Sequence, residues 1–172
     1  MKKPIRWNLP LLVLALFVVR LVGITNPPLE QGHNWRQCTC LMVARNLSEG
    51  LCDPLHPMVD ESGGSVIGME FPLLEMGHTS MAQLFGYTHW QGRLVNLIVS
   101  SVGLLFFGLL LRRLGRSDKE SWFATLFLGL SIWFAFSRKT MPDTFCISLI
   151  IIALYCALRW LEERHLWQIA LY

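Results

Sequence analysis

Long apolar runs dominate the pattern of this chain. Four runs of 18 or 19 residues contain very few charges, and they cover residues 7–25, 94–111, 120–137 and 144–161. A helix that crosses a bilayer needs about 20 mostly apolar residues, so each run predicts a membrane span. A further apolar stretch begins at Leu166 and reaches the last residue. The pattern therefore predicts an all-α, polytopic transmembrane helical bundle of four spans plus the start of a fifth.

The first run allows two interpretations. Lys2, Lys3 and Arg6 precede it, as in the basic region of a signal peptide. No small-x-small cleavage site follows, however, and Arg20 interrupts the run. These features favour an uncleaved anchor.

Composition agrees with a membrane protein. Hydrophobic residues make up 53% of the chain and charged residues 16%, against about 45–50% and 25% in soluble domains. So much apolar content excludes disorder. The five cysteines are an odd number, which disfavours a disulfide-stapled secreted domain. A net charge of +3, spread over short segments, disfavours nucleic acid as a partner.

The basic residues predict the orientation. They cluster at the N-terminus, at 112–119 and at 159–164, three places that share one side if four spans alternate. The positive-inside rule makes that side cytoplasmic. The first loop, residues 26–91, then faces outward, and its two basic and seven acidic residues give it a net charge of −5. Arg138 and Lys139 lie on the wrong side for the rule.

The first outer loop is predicted to be partly helical. A helix over 34–47 ends before Gly50, and its apolar positions suggest that it lies at the membrane surface. A second helix, over 73–85, lies between Pro72 and Gly86. Residues 53–64 are rich in turn formers.

Polar residues that helix periodicity does not require gather in three separated segments. Those segments carry Glu30, His33, Arg36 and Gln37; then Glu70; then Arg138, Lys139 and Asp143. All of them would lie at one membrane depth, which favours a site at the outer face. The alternative is that the loop is a solvated cap over the bundle.

Several short motifs follow one another in a particular order. They are HNWRQ, a helix ending in ARNL, GMEFPL, GRLVNLIVS, and SRKTMPD at the start of a span. Their order and sidedness resemble the N-terminal portion of membrane glycosyltransferases of the GT-C superfamily. The resemblance is closest to bacterial relatives of the protein O-mannosyltransferases and aminoarabinose lipid A transferases, which are glycosyltransferase family 39-like. It covers about residues 11–172. Since such enzymes usually have ten or more spans, residues 1–172 are expected to be an N-terminal fragment, inactive alone; a complete, inert remnant is another possibility.

The resemblance implies an activity and a location. Such enzymes transfer a sugar from a polyprenyl-phosphate carrier to an acceptor glycan, lipid or protein. The expected partners are therefore membrane lipid, the lipid-linked sugar donor and that acceptor. The expected location is the bacterial inner membrane, with a cytoplasmic N-terminus and a periplasmic or extracellular first loop.

The resemblance also implies roles for particular residues. Asp143 matches the catalytic carboxylate of the second outer connection. Many relatives carry a carboxylate pair ahead of the surface helix, where this chain has only Glu30 and His33, so the identity of the base there stays open. Glu70 resembles a loop carboxylate that in some relatives lies near a metal and the carrier phosphate. The expected substrate-binding residues are Arg36, Gln37, Glu70, Arg138 and Lys139.

Each assignment has a structural alternative. Asp143 could cap a helix, and Arg138 and Lys139 could extend toward lipid headgroups. Arg36 could instead pair with Glu30 or Glu70. No cofactor is required by the pattern; a divalent metal ion on Glu70, with His33, His56 or His78, is a weaker alternative, because no tight ligand spacing is present. The rival function is a non-enzymatic membrane protein, such as a lipid-linked-sugar binding subunit or a transporter.

Overall fold

Helices dominate the computed structural model, which describes residues 8–28, 33–60 and 64–163. The helices are α1 (Leu9–Leu21), α2 (Asn34–Ser48), α3 (Leu73–Phe85), α4 (Gln91–Arg113), α5 (Asp118–Leu130), α6 (Ile132–Ala135) and α7 (Pro142–Glu163), with a short 3-10 helix at Phe136–Arg138. Two strands of two residues, β1 (Met58–Val59) and β2 (Ser65–Val66), pair antiparallel. The predicted fifth span lies outside the described residues.

The chain divides into two compact units. The helical unit comprises Met1–Val22, Ile98–Phe136 and Asp143–Tyr172, and the loop unit comprises Gly23–Leu97 and Ser137–Pro142. Helices α4 and α7 each begin in the loop unit and continue into the helical unit. Each unit has its own packing.

Small residues bring the helices of the helical unit close together. The core contains apolar side chains of α1, α4 and α6, namely Leu9, Leu12, Val13, Leu16, Leu104 and Phe134. A Cβ placed on Gly103 of α4 would lie 2.8 Å from the Cα of Ser148 in α7. A Cβ on Gly108 would lie 2.7 Å from the Thr125 hydroxyl of α5. Such close backbone approach through glycine is typical of helices that pack within a membrane.

Two helices of the described chain are long and apolar enough to cross a membrane: α4, and α7 up to Glu162. At 1.5 Å per residue, the 23 residues of α4 extend about 34 Å, more than the hydrocarbon core. A third candidate joins α5 to the short helices that follow, with a bend of 58°. The prediction of an all-α membrane protein is confirmed.

The bend falls inside the run 120–137, which the sequence predicts as one continuous span. Ser131 separates the two parts, and its hydroxyl accepts from the Phe134 N–H at 3.2 Å and donates to the Leu128 carbonyl at 2.7 Å. The hydroxyl thus satisfies backbone groups at both broken helix ends, which is what an interruption at membrane depth requires.

Helix α1 is shorter than the predicted span 7–25. It has 13 residues, and the chain turns from Val22, with Gly23 at φ 76°. Arg20, in the last turn of α1, donates to the Gly129 carbonyl at 3.2 Å, and its guanidinium lies 5.8 Å from the centre of the Phe134 ring. A charge in a membrane helix commonly pairs with a neighbouring helix in this way.

Many large apolar side chains of the helical unit face outward. They include Leu11 and Val19 of α1, Phe127 of α5 and Ile150 of α7, each more than half exposed. A soluble surface rarely carries so much apolar area, whereas lipid-facing surfaces do. This exposure agrees with membrane contact.

Helices α2 and α3 form the centre of the loop unit. Their observed bounds confirm the two helices predicted in the loop, with α3 spanning the predicted residues and α2 one residue longer. The Thr79 hydroxyl of α3 donates to the Ala44 carbonyl of α2 at 3.1 Å, and the Tyr87 hydroxyl donates to the Leu41 carbonyl at 2.9 Å. These bonds hold the two helices in fixed register.

Candidate functional site

An ion pair joins two of the predicted site residues. Arg36, in the first turn of α2, donates through Nη2 to Oε1 of Glu70, which precedes α3 by three residues. The side chains are 26% and 38% exposed. The pair is therefore partly desolvated yet reachable from outside, and in this setting a charge interaction is stronger than in open solvent. The structure selects Glu70 among the described residues as a partner of Arg36.

A buried carboxyl lies close to this pair. Glu75 of α3 is 1% exposed, and its Oε1 has no hydrogen-bond partner in the described structure. Burial raises the pKa of Glu75 above its usual value; a hydrogen bond from the Cys40 thiol and the charge of Arg36 oppose the rise, and the charge of Glu70 adds to it. Burial likewise raises the pKa of Cys40. The interior beside the Arg36–Glu70 pair thus favours uncharged groups.

Glu75 gives the protein a predicted pH dependence. Because the pKa of Glu75 is higher in the folded chain than in the unfolded one, the folded state binds more protons at this residue, and the stability that Glu75 contributes is fully present below the unfolded pKa. That stability is lost as pH rises through the folded pKa. Glu75→Gln is expected to remove this slope and raise the free energy of unfolding near pH 8 by at least about 1 kcal/mol. The unfolding midpoint in detergent, measured from pH 4 to 8, checks the prediction.

The matched control for this prediction is Glu49→Gln. Glu49 lies at the end of α2 with its side chain 53% exposed, so its removal is expected to leave the pH slope unchanged. A Glu75→Gln protein with the wild-type slope would show that Glu75 is ionised without cost in the folded chain.

His33, one candidate base, caps α2 in an unusual conformation. Its backbone is left-handed, with φ 56°, and its side chain makes no capping bond. His33 is exposed. Left-handed geometry in a non-glycine residue costs free energy and is often found at functional sites. The role of His33 as a base stays a prediction.

Gln37 lies inside the protein. It is fully buried, its amide nitrogen donates to the Pro28 carbonyl at 3.4 Å, and its amide oxygen accepts from Arg93 at 3.2 Å. This placement gives Gln37 an internal structural contact and offers no surface for the substrate binding that the sequence predicts.

The connection Ser137–Pro142 is packed against the start of α4. The Asn96 amide donates to the carbonyls of Lys139 and Met141 at 2.7 and 3.0 Å. A Cβ on Gly92 would lie 2.8 Å from the Thr140 methyl group, so a larger residue at this position would force the Thr140 side chain to shift. Arg138 lies near the turn after α1, where a Cβ on Gly23 would be 3.5 Å from its guanidinium. The loop unit thus brings the connection together with residues 23–97.

Asp143 is the second residue of α7, and it is exposed. It therefore lies within the first turn of α7. The alternative role of Asp143 as a helix cap would place it one residue before the helix. A carboxylate there is stabilised by the helix dipole. Asp143 begins the part of α7 that belongs to the helical unit.

Two further predictions concern Glu30 as a base and a metal ion at the site. Glu30 lies outside the described residues. Within residues 8–28, 33–60 and 64–163, no group of three or more His, Cys, Asp or Glu side chains could hold a metal ion. His56 is bonded to Asp53, and His78 to the Thr88 carbonyl at 2.9 Å. Glu70 is bonded to Arg36 in the described structure, and its role as a metal ligand stays a prediction.

Sequence reasoning missed two residues of the loop unit. Glu75 lies two residues after the GMEFPL motif and shares a helix face with His78 three residues later, a spacing that signals one buried polar face. Arg93 opens a span in GRLVNL, and its 1% exposure could not be read from the sequence. Both lie beside residues that the sequence did identify.

Fold and site together define an integral membrane protein with a structured, charged first loop. A sequence model of the dolichyl-phosphate-mannose-protein mannosyltransferase family matches residues 72–172. The match covers more than half of the chain, so the chain belongs to this family, which implies a membrane glycosyltransferase of GT-C type. Arg138, Lys139 and Asp143 lie within the match, whereas Arg36 and Glu70 precede it. No curated protein and no solved structure shows a significant match.

Proposed function

We propose that this chain supplies part of the active site of an enzyme that transfers a sugar from a polyprenyl-phosphate carrier to an acceptor at the outer face of a bacterial inner membrane. The observation that carries the proposal is the partly exposed Arg36–Glu70 ion pair between α2 and the segment before α3. The family match, which includes the outer connection and Asp143, supports it. The acceptor is a glycan, a lipid or a protein.

The donor end of the reaction requires stabilisation of phosphate charge. The lipid-linked sugar is a phosphodiester with one negative charge, and the departing lipid phosphate gains negative charge as the sugar leaves. Arg36 can place a planar guanidinium against two phosphate oxygens. Glu70 fixes that guanidinium in advance, so little reorganisation is needed as the charge develops. Arg138 and Lys139, in the segment between α6 and α7, add further positive charge.

The acceptor end requires a base. The acceptor hydroxyl oxygen bonds to the anomeric carbon while the bond from that carbon to the phosphate oxygen breaks, and the phosphate keeps the electron pair. The hydroxyl proton passes to a carboxylate, for which we propose Asp143. Glu30 and His33 are the alternatives in the first loop.

The proposal is tested by donor choice. Membranes containing the protein expressed from its complete reading frame are incubated with radiolabelled sugar, carried either by polyprenyl phosphate or by a nucleotide. We expect label to move to an acceptor only from the polyprenyl-phosphate donor, with release of polyprenyl phosphate. Transfer from the nucleotide sugar in lipid-depleted membranes, or no transfer from any polyprenyl-phosphate sugar, would contradict the proposal.

A further inference from the structure

Arg93 is a buried arginine that no part of the proposed chemistry uses. It lies in the first turn of α4 and is 1% exposed. A buried guanidinium is costly unless acceptors satisfy its five N–H groups. The structure supplies such acceptors from two separate parts of the loop unit.

The first set of acceptors belongs to the turn that follows α1. Nη1 of Arg93 donates to the carbonyls of Ile24 at 3.2 Å and Asn26 at 2.7 Å, and Nη2 donates to the carbonyl of Pro27 at 3.3 Å. This segment contains two consecutive prolines, which lack N–H groups and cannot continue a helix. Its carbonyls therefore need partners from elsewhere, and Arg93 satisfies three of them.

The second acceptor belongs to the first turns of α2. Nη2 of Arg93 also donates to Oε1 of Gln37 at 3.2 Å. The Gln37 amide nitrogen in turn donates to the Pro28 carbonyl at 3.4 Å. Arg93 and Gln37 thus tie the start of α2 to the turn at 24–28, and both side chains are almost fully inaccessible to solvent.

We propose that Arg93 is a positioning residue for Arg36. Gln37 is the neighbour of Arg36 in the chain, so a bond that fixes the Gln37 side chain also fixes the first turn of α2 from which Arg36 extends. The Arg36 guanidinium then meets Glu70 in one geometry. Arg93 touches no substrate in this account. Its effect on catalysis rests on the proposed function, whereas its effect on α2 does not.

The test compares Arg93→Lys with the wild type in the full reading frame. Lysine keeps the charge but presents a compact ammonium in place of a planar fork that reaches four acceptors. A misplacement of about 1 Å can cost about 100-fold in rate, so we expect kcat for sugar transfer to fall about 10- to 100-fold while KM for the lipid-linked donor changes less than about threefold. We also expect faster backbone hydrogen exchange at residues 33–40 and unchanged exchange in α3.

Controls separate positioning from folding. Arg45→Lys makes the same substitution at an arginine of α2. Arg45 pairs with Asp60 at 2.5 Å, and its side chain is 40% exposed. We expect this variant to leave kcat and hydrogen exchange unchanged. If Arg93→Lys does not fold, Gln37→Leu removes the bond from Arg93 to α2, together with the bond from Gln37 to the Pro28 carbonyl, and leaves the bonds of Arg93 to the turn in place. We expect it to show the same faster exchange at residues 33–40 with a smaller fall in kcat.

The outcomes distinguish this inference from the proposed function. Unchanged exchange at residues 33–40, or a uniform rise across α2 and α3, would overturn the positioning role even if the wild type transfers sugar. An unchanged kcat in an active enzyme would overturn it as well. If the wild type transfers no sugar, the proposed function fails, and a rise in exchange confined to residues 33–40 would still support Arg93 as the residue that fixes α2.

Discussion

Arg36→Ala is expected to lower kcat for sugar transfer by about 100- to 1,000-fold, the usual loss when one donor to a developing anion is removed. The physical reason is that Arg36 is held by Glu70 in a partly desolvated place, where its attraction for a phosphate gaining charge is only weakly screened. Glu70→Gln leaves Arg36 in place but removes the carboxylate that orients its guanidinium, so we expect a smaller loss of kcat. Initial rates with a saturating polyprenyl-phosphate sugar give the measurement.

The control for Arg36 is a second ion pair in the same loop unit. Arg45 of α2 pairs with Asp60, and both side chains are 40% exposed. Arg45→Ala therefore removes a similar pair, and we expect its kcat to stay within about threefold of the wild type. If Arg36→Ala and Arg45→Ala reduce the rate equally, the Arg36–Glu70 pair stabilises the loop and does not act on phosphate.

Asp143→Asn is expected to lower kcat by about 100- to 10,000-fold, the range attributed to a general base. Asparagine keeps the shape of the side chain but cannot take the acceptor proton. Its loss of favourable interaction with the α7 dipole amounts to only about 0.3–1 kcal/mol, so the protein should remain folded. Rate and unfolding midpoint, measured on the same preparation, separate the two effects.

Asp118→Asn is the matched control for Asp143. Asp118 is also an exposed carboxylate in the first turn of a helix, α5, where it pairs with Arg112 at 2.9 Å. We expect a similar change in unfolding midpoint and no change in kcat. Full activity of Asp143→Asn would remove Asp143 from the catalytic set and move the search for the base to His33 and Glu30.

Local sequence signals are sufficient to predict the two helices of the first loop, α2 and α3. Pro72 and Gly86 bound α3 because proline suits a helix start and glycine a helix end, and the observed helix begins and ends at the predicted residues. The capping pair of Ser117 and Glu120, which fixes the start of α5, is also a local pattern.

Contacts between distant residues were beyond the sequence. Arg36 and Glu70 are 34 positions apart, and the sequence left the partner of Arg36 open between Glu30 and Glu70. The break at Ser131 was missed because the residues on both sides are equally apolar. Arg93 was missed because most of its acceptors are backbone carbonyls, which every residue carries and no side-chain pattern reveals.

The most direct test of the central claim is sugar transfer by the protein from its complete reading frame in reconstituted vesicles, compared between the wild type and an Arg36→Ala, Asp143→Asn double variant. In the proposed reaction, Arg36 stabilises the charge on the departing phosphate and Asp143 takes the acceptor proton. We expect the wild type to release polyprenyl phosphate and labelled product in equal amounts, and the double variant, with an unchanged fold, to release neither above background. Equal release by both proteins would contradict the account.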